Sequence, residues 1–206
     1  MTTWSVVADI DSYVEKINSP DSNFGDNVAL LASVSFIGES KAFLRRAIMN
    51  FDLSGFPGDV ADITSVKLTL DVTLVHLGGG DLVNVERCTR PADWVELEVT
   101  WNEYNSGNAW TTGGGDVTGI DATTFDVPSS TGLFDITGLK PLTLDAFANR
   151  ANILSLITSL NDEADAGDNR GLTVRSSEAT SGTKPTLEIT YGVATYPGAR
   201  ALVGVI

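Results

Sequence analysis

One cysteine, Cys88, and one histidine, His76, occur among the 206 residues, and that scarcity excludes much. No disulfide can form within the chain, and zinc sites built from those two residue types are ruled out. A Ser-His-Asp arrangement would have to use His76, which falls in a strand-like segment beside Gly78–Gly80. Positive charge is thin as well: 13 Lys and Arg stand against 27 Asp and Glu, a formal −14. That balance repels a polyanion, so no nucleic-acid partner is expected. No apolar run approaches a membrane span, and no membrane partner is expected. The first residues lack the basic-then-apolar order of a secretory leader, which points to a protein that stays in the producing cell or leaves by a leaderless route such as lysis. Gly78–Gly80 and Gly113–Gly115 lack the Lys-Ser/Thr of a phosphate loop and read as turns. Among 27 acids nothing selects the opposed pair that a glycosidase needs. No enzyme is expected.

What is present is the period-two grammar of half-buried strands, punctuated by Gly, Asn, Asp and Pro. Strands are expected at Trp4–Ala8, Tyr13–Lys16, Ala29–Val34, Phe43–Phe51, Val66–Val75 and Leu82–Arg87. Further strands are expected at Glu96–Trp101, Gly132–Ile136, Ile153–Thr158, Leu172–Arg175 and Thr186–Tyr191. Alternation is clearest where Val66, Leu68, Leu70, Val72 and Leu74 should share a core face. Helix is scarce. Thr143–Arg150, with Thr143 as a cap, fits two turns followed by a strand; the stripe could instead run on through Leu160. Asn105–Val127, rich in Gly and Thr, reads as a long variable surface loop. A β-sandwich domain should occupy residues 1–192, and residues 193–206 should form a C-terminal extension that docks on something. Its interface side chains would be Tyr196, Leu202, Val203, Val205 and Ile206.

A run of short motifs carries a resemblance. It begins with Asp11-Ser12-Tyr13-Val14 and Asn23-Phe24-Gly25. It continues through Phe43-Leu44-Arg45-Arg46, Asn50-Phe51-Asp52-Leu53-Ser54-Gly55-Phe56-Pro57 and Ile63-Thr64-Ser65-Val66-Lys67-Leu68. Val99-Thr100-Trp101-Asn102, Phe134-Asp135-Ile136-Thr137, Ser176-Ser177-Glu178-Ala179 and Lys184–Tyr191 complete it. Together they resemble the DNRLRE modules, which are related to disaggregatase-associated and alginate-type carbohydrate-binding modules. The resemblance implies an all-β, jelly-roll-like antiparallel sandwich with long loops, at most one or two short helices and no catalytic role. It also brings precedent for accessory domains of polysaccharide-active proteins and for phage structural proteins. Within the motifs, Arg46, Asp52, Arg175 and Glu178 are expected to form internal ion pairs or anchor loops, because a buried charge is costly unless paired. Trp101 is expected in the core.

Two chemistries remain. Asp9 and Asp11, with Asp21, Asn23 and Asp26 in the next loop, could converge the oxygens that a structural calcium ion requires. Asp162–Asn169 is a second acidic run, without EF-hand spacing. Trp94 and Trp110 lie in or beside loops and are the candidate sugar-stacking platforms. The leading expectation is a structural or attachment protein of an assembled particle, such as a capsid-decorating virion protein, partnered by copies of itself or a capsid protein. The alternative is a carbohydrate-binding module for a polysaccharide or cell-surface glycan, extracellular or at a cell surface.

Overall fold

The computed structural model describes residues 1–37, 40–76, 81–90, 93–164 and 168–192. The first strands are β1 (Thr2–Val7), β2 (Ile10–Glu15), β3 (Ala29–Ile37), β4 (Ser40–Asp52), β5 (Ile63–His76) and β6 (Leu82–Cys88). A small hairpin, β7 (Glu103–Asn105) with β8 (Asn108–Ala109), precedes β9 (Val117–Asp126) and β10 (Gly132–Ile136). After the helix α1 (Lys140–Asn149) come β11 (Ile153–Leu160), β12 (Arg170–Arg175) and β13 (Thr186–Tyr191).

The main sheet runs β1-β13-β5-β12-β3-β4-β11-β6-β9, with β10 added to β5 and β2 added to β4. Its pairings are antiparallel throughout. β4 and β5 are long enough to change partners along their length: β5 meets β13 over 63–69 and β12 over 72–76. β4 meets β3 over 40–45 and β2 over 45–50. A strand shared in this way curls the sheet into an open, half-barrel-like sandwich, the jelly-roll-like fold expected.

Val66, Leu68, Leu70 and Val72 of β5 lie in the core with Leu187 and Ile189 of β13. Burying each such side chain contributes about 2 kcal/mol relative to leaving it in water. Leu74 does not join them. The β5–β12 register shifts between Thr173 and Val174, so the alternation slips: Leu74 is 49 % exposed and Val75 packs on the core instead.

Three other expectations need correction. Glu96–Trp101 alternates like a strand but forms a turn, in which the Val99 and Glu98 amides both donate to the Val95 carbonyl (2.8 and 3.0 Å). Asn105–Val127 is not one loop, because its second half is β9, a mostly exposed strand that pairs with β6 at the end of the sheet path. The helix begins three residues earlier than expected. Pro141 sits in its first turn, where a missing N–H costs nothing, and Thr143 is an interior residue whose hydroxyl donates to the Leu139 carbonyl (3.0 Å). The helix stops before β11, as the preferred reading had it. The C-terminal extension, with Tyr196, Leu202, Val203, Val205 and Ile206, lies outside the described residues. Among the described residues no helix is long and apolar enough to cross a membrane.

Candidate functional site

Consecutive residues of a strand face opposite ways, so β4 sends Arg45 and Arg46 to different surroundings. Arg45 pairs with its cross-strand neighbour Glu15 (2.8 Å) and lies 4.1 Å over the Phe43 ring. Arg46 is held by both oxygens of Glu163 at 2.7 Å, a fork that fixes the guanidinium plane. It also lies 5.0 Å from the Trp101 ring, with the Lys16 ammonium 5.7 Å from the same ring. Trp101 is buried, and the chain at Gly113–Gly115 packs against it and its neighbours. A Cβ on Gly114 (φ +86°) would stand 2.6 Å from the indole, and one on Gly115 would strike Ile157. Glycine is required there by contact and by conformation alike.

That turn is closed by Asp116, which accepts from the Thr111 and Thr112 amides (3.1 and 2.8 Å) and from Arg90 Nε (2.7 Å). Burial by itself would raise the Asp116 carboxyl, but the bonds from Arg90 and the two amides outweigh it and hold the group below its ordinary value. Arg90 in turn lies 4.6 Å over Tyr104, which the β7–β8 hairpin presents.

The result is a chain of hollows. The largest, about 640 Å³, is lined by Arg46, Arg90, Asp93, Thr111, Thr112 and Asp116. A second, about 340 Å³, shares Arg46 with the first, and a third, about 510 Å³, shares Glu163 with the second and reaches Lys16 and Lys41. The walls thus alternate guanidinium, ammonium, hydroxyl and carboxylate groups, suited to a ligand whose every group can both donate and accept hydrogen bonds.

Several expected site residues lie elsewhere. Trp94 and Trp110 are 3 % and 5 % exposed, so neither offers a ring face to solvent. The Trp94 N–H donates to Asn50 Oδ1 (2.9 Å) and the Trp110 N–H to the Thr100 carbonyl (3.0 Å), which satisfies both indoles inside the core. Among the described residues no aromatic side chain is exposed. Of the proposed calcium ligands, Asp21 accepts from Asn102 Nδ2 (2.6 Å), and Asp9 and Asp26 are exposed. Asn23 is a scaffold: its Nδ2 donates to the Glu96 and Val99 carbonyls (2.6 and 2.9 Å) and its Oδ1 accepts from the Gly25 amide (3.0 Å). Of the five, Asp11 alone belongs to a close carboxylate group among the described residues, with Glu96 and Glu178.

The residues expected to pair or anchor divide. Arg46 pairs with Glu163, and Arg175 with Asp71 (2.9 Å). Asp52 anchors the next turn by accepting from the Ser54 amide (2.8 Å). Glu178 makes no ion pair among the described residues; its Oε1 accepts from the Ser177 hydroxyl. Cys88 is buried, and burial pushes its thiol up to about 11, which removes it as a nucleophile. Arg90 was missed, whereas Asp116 fell within the Asn105–Val127 segment, where an Asp directly after three glycines is a recognisable turn-closing signal, and Glu163 within the acidic run Asp162–Asn169.

A curled antiparallel sandwich with a polar groove along it offers a ligand an extended, hydrogen-bonding surface. The chain belongs to carbohydrate-binding module family 96, whose model matches residues 2–128. The match covers β1 to β9, including Arg46, Arg90, Trp101 and Asp116. Such modules are non-catalytic, so the chain is not an enzyme, and carbohydrate is the partner class of the family. No curated protein matches the chain.

Proposed function

We propose that the protein binds a polysaccharide in the groove that runs past Arg90, Arg46 and Lys16. The observation that carries this is the joining of three hollows through Arg46 and Glu163, in a member of a carbohydrate-binding family. A run of linked hollows suits an extended polymer better than a compact ligand. Its lining offers the cations Lys16, Lys41, Arg46 and Arg90 beside the carboxylates Glu86, Asp93, Asp116, Asp162 and Glu163. Opposed charges of this kind neutralise one another and leave donors and acceptors for vicinal hydroxyls. This favours a neutral polysaccharide, as does the overall charge of −14. The likeness to DNRLRE and alginate-type modules belongs to the same reading and makes a polyuronate the second ligand to try. A role in an assembled particle draws on residues 193–206, and the family match favours the glycan reading over it.

Affinity electrophoresis through neutral glucans and mannans, and through polyuronates, tests the proposal. Retardation by a neutral polymer is expected, and Arg90→Ala should weaken it roughly tenfold, the loss of one charge-assisted hydrogen bond. If Arg90→Ala and Arg46→Ala migrate like the parent, the groove is not the binding surface. If no polysaccharide retards the protein, the reading fails.

A further inference from the structure

Three segments far apart in the chain bring carboxylates to one point: Asp11 on β2, Glu96 in the turn before Trp101, and Glu178 after β12. Each contributes an oxygen, and these oxygens lie within 4.8 Å of one another. Asp11 is 0 % exposed. Its Oδ2 accepts from the Ser177 amide (2.7 Å), but its Oδ1 is buried without a hydrogen-bond partner. Glu178 Oε2 is buried and unpartnered as well, while its Oε1 accepts from the Ser177 hydroxyl (2.6 Å). Glu96 is fixed from two sides: its Oε1 accepts from the Asp11 amide (2.8 Å), and Asn23 grips its carbonyl. Gly25 allows that grip, since a Cβ there would strike the same carbonyl.

The charge around the cluster is of one sign. No Lys or Arg among the described residues pairs with any of the three. Burial, and then repulsion from Glu178, raise the Asp11 carboxyl to about 8, while burial and the charges of Glu178, Asp26 and Asp9 raise Glu96. A buried carboxylate with a free lone pair and like-charged neighbours is expensive unless a cation compensates it.

We propose that Asp11, Glu96 and Glu178 form a calcium site that clamps β2, the 95–99 turn and the 176–179 turn together. An all-oxygen, carboxylate-rich donor set selects a hard divalent cation over zinc or copper. Two oxygens bound to one calcium ion at about 2.4 Å can be no more than about 4.8 Å apart, and the oxygens of the cluster lie within that limit. The clamp joins the part of the chain matched by the family to a turn beyond it, and it uses none of the groove residues. Its success or failure is therefore separate from that of glycan binding.

The test is thermal unfolding of the chelated full-length protein during calcium titration, with calorimetric binding in parallel. The midpoint should rise by about 5–10 °C once calcium exceeds its Kd a hundredfold. Glu178→Gln and Glu96→Gln should each raise that Kd at least tenfold. Both leave Asp11 and its bond to Ser177 in place, so they are safer than Asp11→Asn, which risks the fold. A parent protein that shows neither heat nor a shift at about 10 mM calcium, above the range of extracellular calcium modules, overturns the site. So does an undiminished shift in both variants, because the ion would then bind elsewhere. Stabilisation of the calcium-free protein by Glu178→Gln, with no calcium effect in the parent, would mean that the carboxyls share a proton instead.

Discussion

At the groove, Arg46 is gripped by both oxygens of Glu163, and Arg90 is held by Asp116. At the junction of β2 with its two neighbouring turns, Asp11, Glu96 and Glu178 meet with no guanidinium or ammonium among the described residues to answer them. Two buried aspartates show what this does. Asp116, with three donors around it, is held below its ordinary value; Asp11, more deeply buried, with one donor and a carboxylate neighbour, is driven up to about 8. Residue type is the same in both places, and the sign of the shift follows how deeply each is buried and then the company it keeps. The groove has settled its charges internally, so what it offers a ligand is hydrogen bonding. The cluster has not, so what it offers is charge to a cation.

Removing the wall on which one region rests gives the largest expected effect. Trp101→Ala takes away the ring against which Gly113 and Gly114 pack and over which Arg46 and Lys16 lie. Urea denaturation should show a loss of about 3–5 kcal/mol, and polysaccharide retention should go with it. The calcium-induced rise in melting temperature should survive. If it disappears, the two regions are not independent and the comparison breaks.

Asn23→Ala attacks the other side. It leaves the Glu96 and Val99 carbonyls without their side-chain donor, at a cost of about 1–3 kcal/mol in the same assay. Because the freed turn carries Glu96, calcium affinity should fall as well, while retention on polysaccharide gels stays close to that of the parent. Weakened retention with unchanged calcium binding would reverse the assignment of Asn23 to the cluster.

Strands were legible where one face meets the core: β13 follows its alternation of Leu187, Ile189 and Tyr191 from end to end. The same rule misled at Glu96–Trp101. There the alternation is real but the backbone groups are taken by a turn and by Asn23, a partner more than seventy residues away that periodicity does not register. β9 escaped notice for the opposite reason: at the end of the sheet path, with most side chains in water, it has no buried face to impose a pattern. Trp94 and Trp110 were candidate sugar contacts because their neighbours are loop-like, yet irregular backbone here closes over the core. As for the cluster, Asp11 stood out in an acidic run, whereas Glu96 and Glu178 reach it only through tertiary packing. A set of ligands drawn from three distant segments has no local spacing to read.

The smallest effect should come from the ion pair that divides the groove. Arg46 and Glu163 keep 19 % and 20 % of their side-chain surface, so water still screens them, and the fork geometry is what lifts the pair above an ordinary surface contact. A double-mutant cycle of Arg46→Met and Glu163→Gln, measured by urea denaturation, should return a coupling of about 1 kcal/mol. Neither single change should alter the calcium response. Arg46→Met alone should still reduce polysaccharide retention, because it strips a donor from the wall between two hollows. A coupling near zero with retention lost would mean that Arg46 is oriented by stacking on Trp101 and not by Glu163. A full coupling with retention intact would make the pair a structural strut, and the contrast between a hydrogen-bonding groove and a cation-seeking cluster would then have to rest on Arg90 and Asp116 alone.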